Sequence, residues 1–299
     1  MLASGVAAAE SARPSAWATF RIARCATAVA LAALALAGCD RSRGTAGGAA
    51  SSSATKLRDR AIAAAGGRER WAAIEDVAYA STFILYGPMG EVRSETIGIQ
   101  KEPLHGSPPR VRFEPLGMVE PLVLGFDGKE AWAFRGPRPL AEEDRLVFSR
   151  FNMLSNAFWF SLPFSLAEMP VALEDLGPER ADDVTLDRLK VKLDKGASEA
   201  PLDWVVLYLD ARTGLIDRVL AHLTASFLPH DLWLGRWLEF QEWDGIKKER
   251  RRQFYPADDS GHPIGGLVVD QFIEDVRFNN HFPDAIFNKP LAIRGENEA

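Results

Sequence analysis

The sequence predicts a mainly β fold: a single curled antiparallel sheet of about 11–12 strands, an incomplete barrel covered by short helices and preceded by an N-terminal helix. Three observations carry this. Short β-branched and aromatic runs, bounded by Gly, Pro and Asp, follow one another from Val77 to Val276 at the spacing of an antiparallel meander. They are interrupted once, between Glu142 and Glu168, where Phe148, Phe151, Met153, Leu154, Phe158, Trp159, Phe160, Leu162 and Phe164 crowd together without alternation. Finally, twist accumulates along a sheet, and open sheets rarely exceed about ten strands, so one this long must curl. Its apolar hollow face then needs a cover, and the aromatic stretch is the segment able to supply it.

Taken in order, Thr55 can cap a first helix whose Leu57, Ile62 and Ala65 lie near one face, ended by Gly66-Gly67. A short helical turn, Arg68 to Ala73, follows. Strands are predicted over Val77–Tyr86, Glu91–Gln100, Arg110–Glu114, Leu122–Phe126 and Glu130–Phe134. Gly87-Pro88-Met89-Gly90 turns the first pair, and Asp127-Gly128 the last. The aromatic stretch reads as two short helices broken at Pro163. Strands resume over Val171–Leu176, Val184–Leu193, Asp203–Asp210, Leu215–Thr224, Leu232–Trp243, Glu249–Tyr255 and Leu267–Val276. Phe282 to Pro290 reads as an irregular closing segment, and Arg294 to Ala299 as a disordered tail.

The first 38 residues have the character of an export segment, with Arg13, Arg21 and Arg24 ahead of an apolar run from Ala26 to Ala37. That run is too short to span a bilayer, which takes about 20 apolar residues in a helix. Leu36-Ala37-Gly38-Cys39 resembles the lipobox of bacterial lipoproteins, so cleavage before Cys39 and lipid attachment to it are expected. An ordinary secretory signal that happens to meet a cysteine is the alternative. Two acyl groups on Cys39 would anchor far more durably than a single myristoyl chain. The expected place is the cell envelope, facing the periplasm. Asp40 resembles the enteric signal for inner-membrane retention, a rule other bacteria do not share, so the choice of membrane stays open. Residues 39–54, small and polar, read as a flexible tether, with the folded domain over 55–299.

Composition narrows the function. The chain has two cysteines, Cys25 and Cys39; one leaves with the export segment and the other is lipidated, so no internal disulfide is expected. Removing residues 1–38 takes three Arg and one Glu from the 35 basic and 41 acidic residues, leaving a net charge of −8. An acidic domain of this kind is a poor candidate for nucleic acid.

No constellation of nucleophile, base and orienting group stands out, nor a phosphate loop or paired zinc-ligand motif, so neither an enzyme nor a cofactor is expected. His222 with His230-Asp231, and His281, are weighed as sites and read more simply as loop and closing-segment residues. Lys247 to Arg252 reads as the solvated end of a hairpin, with contact to anionic headgroups as the sharper alternative. The acidic residues Glu174-Asp175 and Asp182-Asp183 read as a solvated loop.

Several stretches resemble the lipoprotein-localisation (LolA/LolB-like) superfamily. They are Ala64-Ala65-Gly66-Gly67 with Trp71; the hairpin from Gly125 to Trp132; Val206 to Asp210 followed by Thr213 to Val219; and Val276-Arg277-Phe278-Asn279-Asn280 through Phe287 to Pro290. The resemblance implies a half-open β-barrel closed by helices that binds acyl chains or a lipidated partner beneath a helical lid. Trp132, Phe134, Phe151, Leu154, Phe158, Trp159 and Phe164 are the expected lining. The competing reading is an envelope protein-interaction or sensor module, in which the same residues fill a core and an exposed apolar patch meets a protein partner.

Overall fold

The computed structural model describes residues 47–140, 143–181, 183–194 and 202–290. The expectations for the export segment, Cys39, residues 39–46 and the C-terminal tail lie outside the described residues, as does the side chain of Phe148. Helices α1 (Gly47–Ala64) and α2 (Arg68–Ala72) lead into β1 (Asp76–Tyr86), β2 (Val92–Pro103), β3 (Val111–Pro115), β4 (Leu122–Phe126), β5 (Ala131–Arg135) and β6 (Arg138–Pro139). Helix α3 (Glu143–Ser161) and a 3-10 turn (Phe164–Ala167) come next. The second run is β7 (Val171–Ala181), β8 (Val184–Leu193), β9 (Leu202–Asp210), β10 (Ile216–Leu223), β11 (Leu232–Trp243), β12 (Ile246–Pro256) and β13 (Val269–Phe278).

All thirteen strands form one antiparallel sheet in the order β6-β5-β4-β3-β2-β1-β13-β12-β11-β10-β9-β8-β7. The chain starts in the middle, meanders to one edge, and resumes at the opposite edge to meander back until β13 pairs with β1. The two edge strands, β6 and β7, do not pair, so the sheet stays open. They are nevertheless consecutive strands, and the segment between them, α3 with its 3-10 turn, must cross from edge to edge.

That crossing organises the core. Met153 and Leu154 of α3 pack with Val111 and Phe126 on the β3–β5 wing. Phe158, Trp159 and Leu162 pack with Val205, Leu207 and Val219 on the other wing, together with Ala54 and Ala61 of α1. Phe160 joins Val77, Tyr79 and Ile273 at the β1–β13 seam, stacked on Tyr79 with ring centroids 4.7 Å apart. Alternation along β9 sends Val205, Leu207 and Leu209 to this inner face and Val206 and Tyr208 to the outer one, where they meet Leu186, Leu220 and Leu234. Close approach explains two strand glycines: a Cβ on Gly125 would lie 2.2 Å from the Trp132 ring, and one on Gly235 2.3 Å from that of Trp237.

Several boundaries depart from expectation. Helix α1 begins at Gly47, so residues 47–54 are helical and not part of a tether, and Ala54 is fully buried. The run of Ala and Ser there contains no strong breaker, and packing of Ala54 favours the helix over a coil. Strand β7 continues past Leu176 to Ala181 through a bulge between Asp175 and Gly177, so Glu179 and Arg180 lie on a strand rather than in a loop. The two-residue β6 is too short to leave a pattern.

Phe160 is completely buried while Val147 on the same helix is exposed. Phe160→Ala is therefore expected to cost about 3–5 kcal/mol in urea unfolding, whereas Val147→Ala stays within about 0.5 kcal/mol. Equal effects would contradict this orientation of α3.

Candidate functional site

The inner face beneath α3 is where the expected lining residues converge, and five of the seven are there. Leu154 sits against β3–β5, and Phe158 and Trp159 sit against β8–β11. Trp159 meets Trp237 edge to face at 5.8 Å. Phe151 is half-buried at the margin, edge to face with Phe227 at 5.1 Å. Phe164 stacks on Trp71 of α2 at 4.3 Å.

Trp132 and Phe134 are a correction. Ala131 packs beneath α3, so strand alternation turns Trp132 and Phe134 to the other face. There Trp132 donates from Nε1 to the Phe287 carbonyl at 3.3 Å, under the closing segment. That segment is pinned by Asp76, whose carboxylate accepts from the backbone N–H groups of Asn280 (2.7 Å) and Phe282 (2.9 Å). The α3 residues fill the inner space: Leu154, Phe158, Trp159 and Phe164 are each at most 6% exposed. The gap lined by Ala61, Leu162, Trp237, Lys248 and Glu249 amounts to about 10 Å³, no more than one water.

The inner face also holds charge. The run Lys247–Arg252 is not a solvated hairpin end: Lys248, Glu249 and Arg252 are at most 2% exposed. Strict alternation breaks down on β12: Lys248, Glu249 and Arg252 are all buried, while Lys247 is exposed and Arg250 pairs outside with Glu274 at 2.9 Å. Arg252 donates from Nε to Glu249 at 2.6 Å, and Lys248 Nζ lies 3.5 Å from the other Glu249 oxygen. From β2, Gln100 donates to Glu102 at 3.3 Å. Two of these groups reach the helical cover. Lys248 Nζ donates to the Leu162 carbonyl at 2.7 Å, just beyond the end of α3, and Gln100 Nε2 donates to the Met153 carbonyl at 3.4 Å. Charge beneath α3 was hidden in the sequence because a basic run looks solvated, and its burial follows no period of two: Lys248, Glu249 and Arg252 are buried while Lys247 and Arg250 are not.

Burial pushes the Glu102 carboxyl up to about 8, against the weaker opposing influence of Gln100, Arg252 and Lys248. Burial likewise holds the Lys248 ammonium down to about 8, although Glu249 favours its charge. Tyr79, burying its hydroxyl beside them, is raised well above its ordinary range by the same desolvation. Among the described residues no group of three or more His, Cys, Asp or Glu is placed to hold a metal ion. His222 stacks flat on Trp204 and faces Asp203 at 3.3 Å; His230 lends its carbonyl to Trp233; and His281 pairs with Glu75 at the surface.

Glu102 supplies a pH test. Between its usual 4.5 and about 8 the folded state holds a proton that the unfolded state has released, so its contribution to stability declines as pH rises through that window. The stability of the wild type relative to Glu102→Gln is therefore expected to fall steadily from pH 5 to pH 8 in denaturant titrations. A constant difference would show that Glu102 is not protonated in the fold.

No protein-family model matches the sequence, and no curated protein matches it significantly. Solved structures do. A DUF1329 family protein from Desulfovibrio piger ATCC 29098 superposes with a TM-score of 0.50 at 12% identity, over 79% of this chain and 97% of that one. A LolA superfamily protein from Nitrosomonas europaea gives 0.49 at 14% identity, over 79% and 97%. The chain is thus similar, distantly and in fold, to LolA superfamily and DUF1329 family proteins, in line with the resemblance in its sequence.

Proposed function

We propose that the protein is a bacterial envelope lipoprotein, anchored through Cys39, that handles lipid or a lipidated partner by admitting acyl chains to the inner face of the sheet in place of α3. The observation that carries this reading is how α3 is held. It lies across an open sheet, joined to the inner face by a row of apolar side chains and by side-chain hydrogen bonds from Gln100 and Lys248. Acyl chains can replace apolar contacts like for like. Each methylene transferred from water gains about 0.8 kcal/mol, so a chain of ten or more offsets a substantial part of the packing that α3 gives up. Leu154, Phe158, Trp159 and Phe164 then play two parts, as core in the closed state and as contacts for cargo in the open one. The similarity to a LolA superfamily protein agrees with this reading but does not carry it.

A second reading, an envelope interaction module with a permanently filled core, is favoured by a specific feature. Ile97, Leu116, Met118 and Val119 are all exposed, and the Leu116 N–H bonds to the Ile97 carbonyl at 2.7 Å, which joins strand β2 to the β3–β4 loop. These residues form an apolar rim suited to a protein partner.

The test is native mass spectrometry of the Cys39→Ala protein with palmitate, alongside a Gln100→Leu/Lys248→Met variant lacking both polar ties. Loosening α3 by about 1.4 kcal/mol raises acyl-chain affinity about tenfold if opening precedes binding. Palmitate adducts that strengthen in the variant are expected. Folded protein that carries none, in either form, would leave the interaction module as the better account.

A further inference from the structure

Beneath α3, two neighbouring N–H donors are buried without an acceptor among the described residues. Trp237 of β11 and Arg252 of β12 stand directly opposite each other in the paired strands, with the guanidinium carbon 5.8 Å from the centre of the indole ring. Trp237 is 3% exposed and Arg252 fully buried, yet neither the indole Nε1 nor the guanidinium Nη1 finds a hydrogen-bond partner. Buried polar groups are ordinarily hydrogen-bonded, so a pair of orphaned donors calls for an explanation.

The groups around them are committed elsewhere. Arg252 Nε donates to Glu249 at 2.6 Å, and Nη2 faces the same carboxylate. Gln271, across from Arg252 on β13, donates to Ser81 at 2.9 Å, and no hydrogen bond joins it to the guanidinium. The indole of Trp237 is covered by Trp159, edge to face at 5.8 Å, and flanked by Phe254 at 5.7 Å. That cover is part of α3, so displacement of the helix uncovers the two donors.

Charge does not mark the place for an ion. Lys248 and Arg252 stand against Glu249 and Glu102, and Asp270 is taken up by Arg251 at 2.9 and 2.6 Å. Burial keeps Glu102 protonated in the closed state; with the helix displaced, water lets it ionise, and two acids then match two bases. An uncharged acceptor suits what is left over. A carbonyl oxygen has two lone pairs, one for each donor.

We infer that Trp237 Nε1 and Arg252 Nη1 form a polar subsite that receives the carbonyl oxygen of an ester-linked acyl chain. The inference rests on the reading that acyl chains reach the inner face in place of α3, and it names the chemical class of that cargo. Leu154, Phe158 and Trp159 contact methylenes alike, whatever group ends the chain. The two donors distinguish an acyl ester from an alkyl ether, which has no carbonyl to offer them.

Calorimetric titration of the Cys39→Ala protein with 1-lauroylglycerol and with 1-O-dodecylglycerol tests the subsite, because the two lipids differ only in the carbonyl. The ester is expected to bind about tenfold or more tightly than the ether. Trp237→Phe keeps an aromatic ring, and Arg252→Lys keeps a cation beside Glu249; each is expected to remove most of the preference while leaving the ether's affinity unchanged. Trp204→Phe, on the outer face, leaves the preference intact. Circular dichroism verifies folding, and Trp237→Phe carries the test alone should Arg252→Lys fail to fold. Equal binding of ester and ether would overturn the subsite and leave the acyl-handling reading standing, whereas binding of neither would overturn both. An ester preference indifferent to Trp237→Phe would also overturn the assignment.

Discussion

The structure depends on a constraint of connectivity. Strands consecutive in the chain, β6 and β7, occupy opposite edges of an open thirteen-stranded sheet, so the polypeptide between them has to traverse the hollow face. A polar linker there would leave that face wet, and curling would then have little to stabilise it. Placing Met153, Leu154, Phe158, Trp159, Phe160 and Leu162 on the traverse turns a topological necessity into the core, because each wing and the β1–β13 seam meet side chains of the same helix. Handling of acyl chains follows from this arrangement: the helix occupies the apolar face that cargo would need.

Charges beneath the helix set a limit on how tightly that cover is held. A wholly apolar interface would favour the closed state through packing alone, and burial of paired charges is often no better than an apolar replacement of the same shape. Glu102, Lys248, Glu249 and Arg252 are all nearly inaccessible, and Tyr79 Oη, Glu102 Oε1 and Gln271 Oε1 lack protein partners among the described residues. Such groups lose hydration in the closed state and regain it when water reaches the inner face. The interior therefore sustains a smaller preference for closure than its aromatic content suggests, which suits a cover that has to yield.

Much of the fold was legible in the sequence. Alternation marks β1, β4, β8 and β11 almost to the residue, and the non-alternating aromatic stretch marks α3 together with the break at Pro163. Local pattern could not reveal which face each strand presents. Trp132 looked like part of the lining because it is large and apolar, but register puts it with Gly125, opposite α3, where the closing segment covers it. Lys248 and Arg252 looked solvated for the complementary reason: a basic run carries no burial signal of its own, which emerges only from their partners, Glu249 and, for Lys248, the Leu162 carbonyl just beyond α3.

Hydrogen–deuterium exchange along α3, with and without palmitate, addresses the central claim most directly. If acyl chains take the place of the helix, amides from Met153 to Ser161 lose protection on addition of palmitate, while β9 to β12 keep theirs or gain. Unchanged or increased protection along α3 in the presence of bound palmitate would mean that the helix stays in place, and the account of an exchangeable cover would be wrong.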